Sequence, residues 1–352
     1  MPITTPQELR EHLELAIAVE LSTVPPYLYA MYSIDDQTSD AALLIRSIAA
    51  EEMLHAALAA NLLLAVGGDP DFSSAALIPT YPSDLPHHRP RLTLNLKPCS
   101  QQQVEELFLV IEQPELHTTL PDDDVYETLG QFYHAVERGF ATVARDHDLF
   151  ADPQADRQLA NAAYYRPVAF DAEDSGGLGL VRDIEGANEA IHVIVHQGEG
   201  LSDEKWADPA HEELTHYYKF LQIADGAAPL GGVAPAPVNP RGVDYPAPVK
   251  AVSDVFNAAY RYLFLTMHEM FQPGPTKDAV VGELYAVMSN VLSPLAHHLM
   301  RTPIGDGRVA GPTFEVYEFG DDEPREHLSA LATAVAAAEP ALQSVADSLA
   351  TM

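Results

Sequence analysis

The chain has 352 residues, 47% of them hydrophobic, enough to bury a substantial core in one large domain or two moderate ones. Its 19 basic residues against 52 acidic ones give a formal charge of −33, and that long-range repulsion argues against nucleic acid and anionic membrane surfaces as partners. A single cysteine, Cys99, excludes an intrachain disulfide and any cysteine-rich metal site, so a metal would have to be held by histidine and carboxylates. The N-terminus has neither a basic leader nor an uninterrupted apolar run, and no stretch of about 18 apolar residues occurs. A cytoplasmic protein that does not enter membranes is the expectation.

Thr5-Pro6-Gln7-Glu8 has the form of a capping box with proline at the first helical position, which predicts a helix start there. Leu9, Leu13, Ala16 and Ile17 form its apolar face, and Glu20 follows three residues later on the same stripe. Pro25-Pro26 predicts a kink or a second cap before Tyr27. A second helix is predicted from Ser39 and Asp40 to Gly67-Gly68, with a stripe of Leu44, Ile48, Glu52, His55, Ala59 and Leu62. Residues 70–99 read as a long irregular connection. Ser100 opens a short helix to about Glu112, and DDDVYETLGQFYHAVERGFATVA supplies the third long helix, where Glu137 lies between Tyr133 and Phe140 on the apolar side.

DIEGANEAIHVIVHQGEGL predicts a fourth helix, continued by HEELTHYYKFLQIADG. Glu189, His192, His196 and Glu199 fall near one face of it, but over roughly three turns at about 1.5 Å per residue they cannot all reach one metal pair. A Pro/Gly-rich linker at 226–250 then separates a bundle at 1–225 from further helices at 251–352, which are expected to pack on the bundle.

A buried carboxylate needs a partner or a metal. Dinuclear carboxylate proteins take one Glu from each of two helices and Glu-x-x-His from each of the other two. This chain offers Glu20, Glu52-x-x-His55 and Glu137 in that order, and residues three apart on a helix can address one ion. Four carboxylates would balance the charge of two divalent ions.

The blocks IAVELSTVPPYLYAMYSI, IAAEEMLHAALAANLLLAVGGDP, FYHAVERG, VIVHQGEG and THYYKF resemble the ferritin-like domain of iminophenyl-pyruvate dimer synthases and of stand-alone bacterial proteins, over roughly residues 6–225. The resemblance implies an all-α, ferritin-like four-helix bundle with long irregular loops and an additional C-terminal helical segment. It further implies a dinuclear non-haem metal site. Glu20, Glu52, His55 and Glu137 match its ligand positions, and Glu199 and His216 are the best matches on the fourth helix. Glu189, His192 and His196 are secondary candidates, and the histidine at 196 departs from the acidic residue the resemblance favours there. Two iron ions, with manganese as the other option, are the expected cofactor, and O₂ and a small organic substrate the expected partners. The other functional readings are an iron-oxidising or oxidative-stress protein without an organic substrate, and a partner or structural protein that has kept the bundle and lost turnover.

Each residue also has a duller reading. Glu20 would be exposed if the face were rotated by one position, and Glu51 reads as a solvated neighbour of Glu52. Glu137 could pair with Arg138 or Arg145. The tyrosines at 27, 29, 32, 133, 217 and 218 read as packing residues whose hydroxyls find partners, with a donor or redox role open to any near the metals. His87-His88 and His297-His298 read as surface or packing residues, and Cys99 as inert.

Overall fold

The computed structural model describes residues 3–114, 125–165, 177–198, 215–274 and 277–352. Its frame is two long antiparallel helices, α1 (Pro6–Ser33) and α2 (Asp40–Ala65), which pack along their whole length. α1 begins at the predicted capping box: Thr5 accepts from the Glu8 amide, and the Glu8 side chain accepts from the Thr5 amide. α2 begins at Ser39 and ends at Gly67, where φ is +73°. The Gly68 amide donates to Leu63 and the Gly67 amide to Leu64, which closes the helix as a Schellman motif that only glycine enters without strain.

Pro25 and Pro26 lie inside α1, and the second cap that the sequence offered before Tyr27 does not form. The Ser22 carbonyl, which loses its amide donor to Pro26, accepts the Tyr81 hydroxyl at 2.8 Å instead. The Ser22 and Thr23 hydroxyls turn back onto the Val19 and Glu20 carbonyls in the preceding turn. With these groups satisfied by side chains, the helix continues through the prolines.

The other two sides of the bundle are each built from two pieces. One comprises α3 (residues 101–111, with Val104–Phe108 wound as a π-helix) and α4 (Leu129–Val143, capped by Thr128). The other comprises α5 (Ile184–Gly198) and α6 (His216–Ala224). α4 packs on α5 and α1, α5 on α2, and α6 on α2 and the π-helical part of α3. This is the expected all-α four-helix bundle.

C-terminal to the bundle lie α7 (Ala247–Met270), α8 (Lys277–Leu299, π-helical over Val287–Leu292), α9 (Pro324–Ala338) and α10 (Gln343–Thr351). Two short hairpins, β1 (Ser83–Asp84) with β2 (Thr93–Leu94) and β3 (Pro303–Gly305) with β4 (Arg308–Val309), are peripheral. Residues 226–250 are tied down: Tyr29 donates to the Pro237 carbonyl, and Asn239 accepts from the Leu96 amide. Two helices, α2 and α8, are long and apolar enough to cross a bilayer by length and composition, but the apolar window of α2 is 89% buried inside the fold.

Candidate metal centre

The centre lies beside the described ends of the pieces that build the two-piece sides of the bundle. Glu112 caps the end of α3, Leu129 and Gly130 open α4, Gln197 and Gly198 are the last described residues of α5, and His216 opens α6. Between these ends and the continuous helices, Glu20, Glu51, Glu52, His55, Glu112, Gln197, His216 and Lys219 are all at most 2% exposed.

Two trios of ligand atoms form, each with all its atoms within 4.8 Å of one another: Glu20, Glu52 and His55, and Glu52, Glu112 and His216. Glu52 belongs to both. His55 Nδ1 lies 3.5 Å from Glu20 Oε2 and 3.9 Å from Glu52 Oε2. His216 Nδ1 lies 3.0 Å from Glu52 Oε1 and 3.3 Å from Glu112 Oε2. The two imidazoles stack, with centroids 5.3 Å apart.

The outer nitrogen of each imidazole is held. His55 Nε2 meets Gln197 Oε1 at 2.9 Å, which holds the ring with Nδ1 turned toward Glu20 and Glu52. His216 Nε2 meets Glu51 Oε2 at 2.7 Å, and Lys219 Nζ reaches both Glu51 oxygens at 2.7 and 2.9 Å. This is the carboxylate–histidine arrangement that fixes a metal-ligating imidazole. The carboxylates are oriented in the same way, Glu20 Oε1 by the Tyr133 hydroxyl and Glu112 Oε1 by the Tyr27 hydroxyl at 2.6 Å.

His216 Nδ1 and Glu52 Oε2 are buried without a hydrogen-bond partner. Both point into the shared trios, and orphaned atoms of this kind are costly unless something binds them. The donor set of carboxylate oxygens and imidazole nitrogens suits iron, manganese or zinc, so the residues present fit a metal pair.

In the protein alone, protons must substitute for that charge. Burial, with the Glu112 and Glu20 carboxylates beside it, pushes the Glu52 carboxyl well above its ordinary range. Burial opposes the His216 imidazolium, but the Glu112, Glu51 and Glu52 carboxylates outweigh it and hold His216 well above its ordinary value. Glu20 is lowered, because His55 and hydrogen bonds from its neighbours overcome the burial that works against its charge. A cavity of about 20 Å³ lined by Glu20, Glu52, His55, Glu112 and Tyr133 adjoins the trios, room for about one water-sized molecule.

Glu20, Glu52, His55 and His216 are thus brought together as expected. Glu137 is not: it is half-buried on α4, outside both trios, while Tyr133 one turn earlier faces Glu20 and Glu112 supplies the further carboxylate. Glu189 and His192 are exposed, and His196 is half-buried with its ring 5.6 Å from His192. α5 turns Gln197 and Gly198 inward instead. Glu199 lies outside the described residues. Glu51 is not solvated, because α2 is buried on nearly every side and a neighbour of Glu52 has no water to face.

Besides misplacing Glu51 in solvent, sequence reasoning passed over Glu112, Gln197 and Lys219. For Lys219 there was a signal: a lysine three residues after His216, in the apolar run of HYYKFLQIA.

A ferritin-like family model matches residues 13–225, and the chain belongs to the ferritin-like family. Among its relatives, a dichlorochromopyrrolate synthase from Lentzea aerocolonigenes is 26% identical, aligned over 90% of this chain and 36% of its own length. A 2-imino-3-(indol-3-yl)propanoate dimerase from Chromobacterium violaceum is 25% identical, over 88% of this chain and 34% of its own length. The chain therefore spans about a third of the length of the relatives it matches. The crystal structure of a ferritin-like protein from Caulobacter vibrioides shares the fold with a TM-score of 0.59 at 23% identity, covering 83% of this chain and 96% of that one.

Proposed function

We propose that this protein is a cytoplasmic dinuclear non-haem metal oxidoreductase, with iron at both positions, that uses O₂ to oxidise a small organic substrate. The observation that carries this reading is the pair of buried trios sharing Glu52, with His216 Nδ1 and Glu52 Oε2 left without any other partner. Glu20, Glu52 and His55 would hold one ion, and Glu52, Glu112 and His216 the other. A bound iron pair would supply the redox equivalents for reaction with O₂.

The chain's own groups do the remaining work. Gln197 and the Glu51–Lys219 pair hold the two Nε2 atoms, so that both Nδ1 atoms are aimed inward. Tyr133 and Tyr27 fix the rotamers of Glu20 and Glu112, and each holds a proton at the edge of the site. Among the described residues, Glu20, Glu52 and Glu112 set three carboxylates against the charge of two divalent ions, and one more would balance it. Glu199, next after Gly198, is proposed as that carboxylate on sequence position. Aromatic α-imino acids, the chemistry named by one relative, form the first substrate panel.

Purified protein is expected to bind close to two iron ions per chain, with Glu52→Ala losing both and Glu112→Ala or His216→Ala losing one, at unchanged helical circular dichroism. Glu137→Ala should keep both. O₂ consumption by the ferrous protein should depend on the organic substrate. Consumption that follows iron alone, with mineral formation, would favour an iron-oxidising protein, and a chain that binds no metal would overturn the reading.

A further inference from the structure

Glu52 and His55 occupy one side of α2. At about 100° per residue, Arg46, Ala50, Met53 and Ala57 occupy the opposite side, and there the C-terminal helices pack against the bundle without filling the space. A cavity of about 310 Å³ lies among α1, α2, α7 and α8, and a second of about 230 Å³ lies further along α2. Both are lined by Arg46, Ala50, Met53, Tyr285 and Met288, so they meet. Together they reach the size of a small-molecule site, and their walls are mainly methionine, leucine and aromatic side chains, which adapt to an apolar guest. The π-helical turn of α8 contributes Met288, Ser289 and Leu292 to the wall, and irregular helical turns of this kind recur at functional sites.

Arg46 gives the cavity its polarity. In a chain with 52 acidic residues, its half-buried guanidinium meets no carboxylate among the described residues; it donates only through Nη2, to the carbonyl and side-chain oxygens of Gln37. Gln37 is neutral, so the cation is left uncompensated at the junction of two apolar chambers. Tyr32 and Ser293 line the wall nearby.

We propose that this seam is a second ligand site, which binds an amphipathic carboxylate with its apolar body between α2 and the C-terminal helices and its carboxylate on Arg46. It shares no lining residue with the metal centre, so its failure would leave the metal reading untouched.

The test is calorimetric titration of the full-length, metal-loaded protein with decanoate and with indole-3-acetate, and with decanol and indole as uncharged counterparts. Saturable binding of a carboxylate is expected, tighter than its counterpart, and which of the two binds tells an aliphatic ligand from an aryl one. Arg46→Gln should weaken carboxylate binding about tenfold or more while leaving the uncharged compound and the iron content unchanged. Ala50→Phe, which fills the junction, should abolish both; if that variant fails to fold, Arg46→Gln still decides. No saturable binding of either carboxylate, or equal binding by wild type and Arg46→Gln, would overturn the proposal.

Discussion

The two faces of α2 carry opposite chemistry at nearly the same height. Glu51, Glu52 and His55 face a closed centre with about 20 Å³ of free space, where nearly every polar atom is held by another. Arg46, Ala50 and Met53 face a seam of about 310 and 230 Å³, where one cation stands among apolar walls. Charged groups out of water need fixed partners, so the centre is built from rigid contacts that reach across the whole bundle. Apolar walls have no such need, and the seam is closed by flexible methionines and by helices beyond the family-matched residues 13–225.

The sharpest break of this comparison is at the two cations. Lys219→Met would remove the buried ammonium that reaches both Glu51 oxygens, and should cost about 3–5 kcal/mol in urea unfolding of the metal-free protein, part of it recovered by adding Glu51→Gln. Arg46→Gln breaks no ion pair and should change stability by less than about 0.5 kcal/mol. Equal losses at the two sites would mean that Lys219 is not the structural counter-charge it is taken to be.

Gln197→Leu removes the acceptor that fixes His55. Iron affinity, measured by competition with a chelator, should fall about 10–100-fold with the fold unchanged. An unaltered affinity would leave His55 oriented by Glu20 and Glu52 alone.

Metal removal should make the centre sensitive to pH. The stabilisation from His216, raised in the fold, is fully present below its ordinary 6.5 and lost as pH rises through the raised value; Glu52, raised above 4.5, acts in the same direction. The contribution of Glu20, lowered in the fold, is present above 4.5 and lost as pH falls through the lowered value. The Tm of chelator-treated protein should therefore fall as pH rises above neutrality. Added iron should raise Tm more at about pH 8 than at about pH 6, because the metal replaces protons. A Tm gain independent of pH would mean that these groups do not bind it.

The smallest effect belongs to the seam. Met53→Ala enlarges a space that already exists, so it should cost less than about 2 kcal/mol, below the usual range for a packed methionine. A larger loss would mean that the seam is filled and tight in solution.

Local chemistry made much of this legible in the sequence. The Thr5 and Ser39 caps and the Gly67-Gly68 stop are set by hydrogen bonds within a few residues, and all three fall where the sequence puts them. Glu20, Glu52 and His55 stand out because each interrupts an apolar stripe, whereas His216 is found through the family resemblance of THYYKF. Glu112 could not be found by periodicity: it caps α3 just after the π-helical Val104–Phe108, and an altered winding shifts the phase on which such counting depends. Glu137 keeps its helical phase yet lies outside both trios, since phase selects a side of a helix and not the level at which a partner sits.

By itself, then, the sequence determined where the two long helices of the bundle begin and end and that Glu20, Glu52 and His55 enter the core, because both depend on short-range spacing and on the cost of burying charge. The tertiary structure alone decided that Glu51 faces Lys219 across 168 residues, that His55 rests on Gln197 across 142, and that Glu52 serves two trios. It also decided that the other face of α2 closes on a seam. The reason is that burial of a helix on nearly all sides is a property of its neighbours, and no periodicity within α2 encodes which of them arrives at which face.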